Sequence, residues 1–488
     1  MPRGLLLLVL LLATANCSGD GVAPRKATDI SLVRVTPKAV AVFVGDTVPF
    51  GASVTQLDGA VVDEPTLAWT TSDPGVATID LSGKLKAIGP GKVTVTATNS
   101  GVTGKAEAQV NPVAGADVRL TGSTPFPHQE EPHLAMDGAG HLYVAWKEMT
   151  FPGAAERVGF SSSVDRGATW SPVQLRDPLS PGWIQSDPWL GVDESGTLFF
   201  ASLEVLLSPD GRRVAVSRSL DGGLTWEDTV AAADSTEIDK EVLSSNGAGS
   251  LYASYKQGST LRLVRSVDGG VSWSQPSMLP YSAEDPTGPV LTSRPDGSVF
   301  AAWWSRPDDN LWVATSPDHG ESWRGLQRVN PVAGSVTFVG IPAFPSVAAQ
   351  AGGRVSVAWQ DFASGDWDIL ITLSDDSGLT WSGPSPVNDS PLGDQFMPAL
   401  AAGPDGSLHA VWYDSRTGNV NLVYARSEDG GVTWSTNVRV TTEETPVYHG
   451  RLGDYLGLVV GPGGEAFMVW TDRRAGEQNI YFARSSWF

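Results

Sequence analysis

The sequence predicts an all-β protein, with a small β-sandwich near its N-terminal end and a longer ring of repeated β-sheets after it. Its 488 residues include 54 glycines, 34 prolines and 18 tryptophans, a composition of many turns and many aromatic anchors. A Ser-x-Asp-x-Gly-x-(Thr/Ser)-Trp motif starts at Ser163, Ser219, Ser266, Ser316, Ser374 and Ser427. A repeat of about fifty residues is typical of propellers and solenoids.

The N-terminal sequence predicts a signal peptide over residues 1–17. Arg3 precedes an apolar run over residues 5–12, which is too short to span a bilayer. Ala13-x-Ala15 fits ordinary cleavage, whereas Cys17 resembles the attachment site of bacterial lipoproteins. Both interpretations predict export, either as a lipoprotein of the cell surface or outer membrane or as a secreted or periplasmic protein. We expect membrane attachment only through a lipid at Cys17, and a tether over residues 18–28.

Charge and residue types exclude several classes of function. The formal net charge of −21 repels the phosphates of nucleic acids. The six histidines lack the spacing of a zinc site, and no nucleotide-binding motif is present. We therefore predict neither a metal nor a cofactor, and we expect a monomer.

Residues 29–112 alternate apolar and polar side chains between Gly and Asp turns, which predicts a small β-sandwich. The segment resembles the bacterial Ig-like group 2 domain through Trp69, Ser72-Asp73-Pro74-Gly75 and Gly89-Pro90-Gly91. This resemblance implies a spacer or an adhesion module of a surface protein, and we expect a spacer.

The repeated motif predicts a tight hairpin. Its aspartate can accept N–H bonds within its own turn, its glycine can take positive φ, and its tryptophan can pack over the hairpin. The aspartates are Asp165, Asp221, Asp268, Asp318, Asp376 and Asp429. The hairpins resemble the Asp boxes of sialidases and related propellers, which implies a structural role on the face opposite the ligand site.

Each motif follows three strands and precedes a fourth, closing strand. A seventh three-strand unit ends at residue 484, and no closing strand follows it in the sequence. Residues 117–121 resemble the closing strand at residues 437–441, so we predict that they pair with the last strand and close the ring. The prediction is a seven-bladed propeller over residues 116–488, with the six blades of typical sialidases as the alternative.

The loops at the other end of the blades are the predicted ligand face. Carboxylates beside the first strands are Glu131, Asp187, Asp239, Asp285 and Asp394. Further candidates for ligand binding are Arg306, Arg416, Arg473, Trp183 and Trp367. Clustered carboxylates can bind cations or exchange protons, and arginines can hold a carboxylate. Strand capping and Asp–Arg pairing also explain these residues, as ordinary turn chemistry, so both interpretations stay open.

The resemblance to sialidases implies a tyrosine nucleophile with acidic partners, and an arginine near the first blade. Residues 125–132 contain no arginine. The nearest match is a segment with Tyr448, Arg451, Asp454 and Tyr455, which are the candidate catalytic residues.

Two functions remain, and the missing arginine favours the first. The first is a surface protein whose propeller binds an extracellular glycan or glycoprotein, with the Ig-like domain as spacer. The second is a glycoside hydrolase of the exo-α-sialidase type. A third alternative is a module that binds another exported protein in a surface assembly.

Overall fold

Alternating apolar and polar side chains produce short strands throughout the chain. The computed structural model describes residue 26 and residues 29–122, 124–151, 155–207, 210–235, 237–247, 249–280, 285–306, 308–337, 342–446 and 452–487. Within these ranges, the helical segments are two 3-10 turns, Ala351–Gly353 and Ser485–Trp487. No helix in this part of the chain is long and apolar enough to cross a membrane. The all-β prediction is confirmed.

The N-terminal domain is an Ig-like sandwich of three small sheets. Its strands are β1 (Ile30–Thr36), β2 (Ala39–Phe43), β3 (Thr47–Pro49), β4 (Gly51–Gln56), β5 (Ala68–Thr71), β6 (Ala77–Ile79), β7 (Lys84–Ala87), β8 (Gly91–Asn99) and β9 (Val102–Asn111). The sheet orders are β1-β4, β2-β9-β8-β5 and β3-β7-β6. Every second residue of β8 is buried, so Val93, Val95 and Ala97 enter the core with Trp69.

The rest of the described chain forms seven four-stranded sheets. It starts with β10 (Val118–Arg119). Sheet 1 contains β11 (His128–Met136), β12 (Leu142–Met149), β13 (Ala155–Ser163) and β14 (Gln174–Arg176). Sheet 2 contains β15 (Trp183–Val192), β16 (Leu198–Leu207), β17 (Asp210–Ser219) and β18 (Glu227–Ser235). Sheet 3 contains β19 (Ile238–Ser245), β20 (Leu251–Gln257), β21 (Thr260–Ser266) and β22 (Ser277–Met278).

The remaining four sheets repeat this order. Sheet 4 contains β23 (Pro286–Ser293), β24 (Val299–Ser305), β25 (Asn310–Ser316) and β26 (Arg324–Arg328). Sheet 5 contains β27 (Ser346–Ala349), β28 (Val355–Asp361), β29 (Asp368–Ser374) and β30 (Ser385–Pro386). Sheet 6 contains β31 (Gln395–Ala402), β32 (Leu408–Asp414), β33 (Asn421–Ser427) and β34 (Val438–Arg439). Sheet 7 contains β35 (Gly457–Val460), β36 (Ala466–Asp472) and β37 (Asn479–Arg484), followed by β10.

The second strand of each sheet is deeply buried, because neighbouring sheets cover it on both faces. All seven residues of β32 and of β36 are buried. Five of these second strands carry a fully buried tryptophan: Trp146, Trp303, Trp359, Trp412 and Trp470. A run of this kind is expected for strands that are covered on both sides.

Neighbouring sheets contact each other through their first strands. This contact runs from β11 through β15, β19, β23, β27 and β31 to β35, and β35 in turn contacts β11. β10 pairs with β37, with Val118 opposite Phe482 and Arg119 opposite Tyr481. The Arg474 guanidinium adds an ion pair to Asp117 at 2.7 Å. The N-terminal strand of this region therefore supplies the fourth strand of sheet 7.

The six Asp boxes share one set of hydrogen bonds. In sheet 3, the Ser272 amide donates to Asp268 Oδ1 at 2.9 Å and the Gly270 amide donates to Ser266 Oγ at 2.8 Å. Hydrogen bonds from Ser272 and Ser266 lower the pKa of Asp268 to about 2. The boxes lie where the first strands end: in sheet 3, Leu251 is paired with Ser245 at the end of β19 and with Ser266 at the start of the box.

The Ig-like domain packs directly against sheets 5 and 6. Phe43 is fully buried in one cluster with residues of these two sheets. The guanidinium of Arg416 lies 4.8 Å from the centre of its ring. Asn111 Nδ2 donates to Asp389 Oδ2 at 2.8 Å, and an Arg439 nitrogen lies 3.5 Å from Asp46. The junction between the two domains therefore has an apolar centre and polar contacts around it.

Candidate functional site

The candidate site lies where the first strands begin, at the end of the sheets away from the Asp boxes. In five sheets the pairing between first and second strands shifts register there, which is a β-bulge. The bulge residues with positive φ are Glu131 (57°), Asp187 (50°), Lys240 (58°), Gly288 (58°) and Met397 (56°). Four of the five are not glycine. Residues other than glycine with positive φ are uncommon and concentrate at functional sites.

A constant spacing relates these bulges to the second strands. The residue after the bulge stands fourteen positions before the central buried residue of the second strand, as Pro132 does before Trp146. The same spacing assigns Phe344 and Tyr455 to the bulge position of sheets 5 and 7. The position after the bulge is proline in five sheets and leucine in sheet 7, but it is Glu241 in sheet 3.

The first strands surround a cavity of about 140 Å³, and every sheet contributes to its wall. The polar residues of the wall are His133, Asp187, Lys240, Glu241, Ser346 and Asp454. Its aromatic residues are Trp189, Phe344 and Tyr455. Among the described residues, no arginine lines this cavity.

Lys147 neutralises buried carboxylates behind the cavity wall. Its ammonium lies 2.7 Å from Glu131 Oε2, 3.0 Å from Glu130 Oε1 and 3.9 Å from Asp187 Oδ1. Both glutamate side chains are fully buried. Burial opposes the charged form of Lys147, but the three carboxylates outweigh it and raise the pKa of this lysine.

Lys240 performs the same role on the cavity wall. Its ammonium pairs closely with Asp454 and lies 3.7 Å from Asp187 Oδ2. It also lies 5.7 Å from the ring centre of Phe344. Burial again opposes the charge, and Asp187 and Asp454 raise the pKa of Lys240. Within the described ranges, no group of three or more His, Cys, Asp or Glu side chains has the arrangement of a metal site.

Glu131 and Asp187 have opposite protonation preferences. Burial raises the pKa of Glu131 to about 8, although Lys147 opposes the shift. Asp187 is also buried, but Lys240 and Lys147 lower its pKa below the usual range. The Ser186 hydroxyl donates a further hydrogen bond to Asp187. At neutral pH, Glu131 is therefore mostly protonated beside an ionised Asp187.

The Tyr455 phenol is held in its protonated form. Its hydroxyl donates to the carbonyl of Pro188 at 3.0 Å. Burial, followed by the charges of Glu131 and Asp187, raises its pKa well above the ordinary value. A tyrosine nucleophile needs a neighbouring base to take its proton, whereas the Tyr455 hydroxyl donates to a backbone carbonyl.

His133 and Trp189 form the neighbouring part of the wall. Their ring centres lie 4.0 Å apart, and Trp189 meets Tyr455 edge-on at 5.2 Å. Burial lowers the pKa of His133 to about 3. Its Nδ1 accepts the amide of Leu190 at 3.1 Å, which fits a neutral imidazole.

The other candidate carboxylates lie outside this group. The side chain of Asp285 is 44% exposed and pairs with Lys256. Asp394 accepts the amide of Trp367 at 3.3 Å and so joins two loops. Asp239 stands beside Lys240 and accepts its amide at 3.0 Å, and burial raises the pKa of Asp239.

The candidate arginines serve local contacts. The Arg416 side chain is fully buried and pairs with Asp414 at 2.7 Å and Asp389 at 2.6 Å, at the junction with the Ig-like domain. The Arg306 guanidinium lies 4.8 Å from the ring centre of Trp304. Arg473 is partly exposed beside Arg474, which makes the ion pairs in sheet 7.

The remaining candidates lie away from the cavity or outside the described residues. Trp183 stacks with the guanidinium of Arg213 at 4.1 Å. Trp367 is buried among aromatic rings, with Phe362 at 6.0 Å. Tyr448, Arg451 and Cys17 lie outside the residues that the structure describes.

Sequence reasoning missed Lys147, Lys240 and Glu241. The fourteen-residue spacing would have identified Lys240 and Glu241, because it fixes the bulge independently of which residue occupies it. No pattern in the sequence would have identified Lys147 as a residue of the site. It lies within a strand that otherwise indicates only apolar packing.

Comparison with known families supports the division into two regions. The model of the BNR repeat-like domain matches residues 127–330 and 284–475. The model of the bacterial Ig-like domain (group 2) matches residues 29–110. No curated protein matches the chain.

Among solved structures, a protein of unknown function from Dyadobacter fermentans is 16% identical with a TM-score of 0.50, over 76% of this chain and 98% of its own. An α-L-arabinanase from Penicillium chrysogenum is 15% identical with a TM-score of 0.44, over 76% of this chain and 98% of its own. The leech intramolecular trans-sialidase is 14% identical with a TM-score of 0.44, over 94% of this chain and 92% of its own.

Proposed function

Because this chain belongs to the BNR repeat-like family, we propose that it binds an extracellular glycan or glycoprotein in the central cavity of a closed, seven-bladed propeller. The contact of β35 with β11 and the pairing of β10 with β37 support the closed ring. Seven consecutive four-stranded sheets within the described residues support the number of blades. In this arrangement the cavity lies on the axis, where the first strands meet.

One observation carries the assignment of the ligand: the cavity wall combines aromatic rings with closely spaced carboxylates. Trp189, Phe344 and Tyr455 offer faces or edges on which a sugar ring can pack. Asp187, Glu241 and Asp454 offer oxygens that accept hydroxyl hydrogen bonds. Such a site binds a polyhydroxyl compound better than it binds a purely apolar compound.

Binding without hydrolysis is the function that we favour, because the Tyr455 hydroxyl donates to a backbone carbonyl and because no arginine of the described residues lines the cavity. The alternative is a glycoside hydrolase of the exo-α-sialidase type. Two carboxylates on the wall, Asp187 and Asp454, favour this alternative, since glycoside hydrolysis commonly uses a pair of carboxyl groups.

A glycan array with the purified protein lacking residues 1–17 tests the proposal. We expect retention of glycans, weakened about tenfold or more by Trp189→Ala, since the indole forms part of the wall. Trp312→Ala is the matched control, because this half-buried indole lies outside the cavity. Absence of any retained glycan contradicts binding, and fluorophore release from an aryl sialoside establishes the hydrolase instead.

We further propose that the protein is exported and attached to the membrane by a lipid on Cys17. This proposal rests on the apolar run at residues 5–12 and on the sequence around the single cysteine. Mass spectrometry of the mature N-terminus tests it. A diacylglyceryl mass on Cys17 is expected, whereas an unmodified N-terminus created by cleavage after Ala15 identifies a freely secreted protein.

A further inference from the structure

Glu241 is the least satisfied polar side chain on the cavity wall. The residue is 2% exposed, and it lines the cavity. Neither of its carboxyl oxygens accepts a hydrogen bond from another residue in the described part of the chain. A buried carboxyl group with no hydrogen-bond partner from another residue costs free energy, and burial raises the pKa of Glu241 well above its usual range, so its presence needs an explanation.

The position of Glu241 is apolar in the six other sheets. Five of them place proline after the bulge, and sheet 7 places Leu456 there. The fold therefore does not need a carboxyl group at this point. The packing of the first strands is achieved elsewhere by residues with no hydrogen-bonding side chain, which leaves the cavity itself as the reason for a glutamate in sheet 3.

The charges around the cavity limit what can approach Glu241. The two nearby ammonium groups, on Lys147 and Lys240, are already paired with carboxylates. No arginine of the described residues lines the wall. A ligand carboxylate would meet Asp187 and Asp454 without an unoccupied cation to hold it, and like charges at close range repel.

We propose that Glu241 recognises the ligand by accepting a hydrogen bond from a sugar that carries no negative charge, through either a hydroxyl or an ammonium group. This inference rests on the proposed glycan binding and names the class of sugar bound there. The cavity volume of about 140 Å³ is small, so no more than one terminal sugar unit can enter it. The geometry thus assigns a neutral or amino sugar to a fold that resembles sialidases.

The test compares three classes of immobilised glycan: those ending in a neutral hexose, in glucosamine and in sialic acid. The wild-type protein is expected to retain one or both of the first two classes, and the class retained distinguishes a hydroxyl from an ammonium donor. Glu241→Leu is expected to lose about fivefold in affinity, the range of one ordinary net hydrogen bond. Glu237→Leu is the matched control, because Glu237 is exposed and outside the cavity.

Thermal unfolding of the same variants separates binding from folding. The midpoint of Glu241→Leu is expected to equal or exceed that of the wild type, because an unsatisfied buried carboxyl group is removed. Glu241→Gln keeps the shape and one acceptor oxygen, so it is expected to retain more affinity than Glu241→Leu.

Three outcomes overturn the inference. Retention of sialylated glycans alone, or affinity unchanged in both Glu241 variants, refutes it while leaving glycan binding intact. Retention of no glycan from any class refutes glycan binding, and this inference falls with it.

Discussion

Two lysines determine how many carboxylates can be buried around the cavity. Lys147 and Lys240 each lie between carboxylates from different sheets, so removing either lysine leaves buried charges unpaired. Breaking a buried pair of this kind typically costs about 3–5 kcal/mol. Glu131 relieves part of the excess negative charge by holding a proton, which its pKa of about 8 permits at neutral pH.

This proton makes stability depend on pH. The folded protein holds it on Glu131 up to about pH 8, whereas an unfolded glutamate releases it near its ordinary pKa of 4.5. Between these values the folded state binds more protons, so this residue makes the free energy of unfolding fall as pH rises. We expect Glu131→Gln to reduce that fall, by at most about 1.4 kcal/mol per pH unit, in denaturant titrations across this range. An identical slope in wild type and Glu131→Gln contradicts the assignment, and the exposed Glu237→Gln provides the control.

At the scale of elements, much of the architecture was predictable and the composition of the site was not. The Asp boxes and the pairing of residues 117–121 with the last strand follow from local motifs that repeat in one register. The carboxylates were harder to place. Asp285-Pro286 resembles Asp187-Pro188 in sequence, but the bulge of sheet 2 lies at Asp187 whereas the bulge of sheet 4 lies at Gly288, three residues after Asp285. A turn motif fixes its own geometry, but a strand's register depends on its partner.

The glycine of an Asp box connects two sheets. Gly167 has φ +82°, and a Cβ atom there would lie 2.3 Å from the ring of Phe482 in sheet 7. We expect Gly167→Ala to lower the free energy of unfolding by about 1–2 kcal/mol for the left-handed backbone, and by about 1–3 kcal/mol more for the clash.

Gly196→Ala is the control for this prediction, because Gly196 has φ +83° and no atom within 4 Å of the added Cβ. Gly196→Ala is expected to lower the free energy of unfolding only by the contribution of the left-handed backbone. Equal losses in chemical denaturation of the two variants would show that sheets 1 and 7 do not pack together as the proposed closed ring requires.

At the scale of the whole molecule, the Ig-like domain and the seven sheets share a buried junction. The sequence predicted a spacer but not this contact between the domains, because in the sequence Phe43 resembles one more core residue of the sandwich. Arg416 likewise fits an Asp–Arg pair within its own loop, and only the structure shows that it also contacts the other domain. Contacts between domains leave no periodic pattern in either sequence.

Removing the aromatic side chain at this junction is expected to uncouple the two domains. Phe43→Ala should cost about 3–5 kcal/mol, the usual range for a buried phenylalanine. Calorimetry should then resolve a separate, earlier transition for the Ig-like domain. Val61→Ala, at a residue 65% exposed in the same domain, is expected to leave the unfolding profile unchanged. A profile of Phe43→Ala identical to the wild type contradicts a stabilising junction.

The pairing of β10 with β37 also sets an order of events during synthesis. Thr121, just after β10, bonds to Asn479 at the start of β37, and the two are separated by 358 residues. At about 5–20 residues per second, a ribosome needs tens of seconds to produce the second partner after the first. Throughout that interval the backbone of Val118 and Arg119 waits without its native strand partner, while the preceding Ig-like domain is already complete. A nascent chain interrupted before residue 479 thus lacks the strand pairing that completes its seventh sheet, even when the earlier sheets have formed.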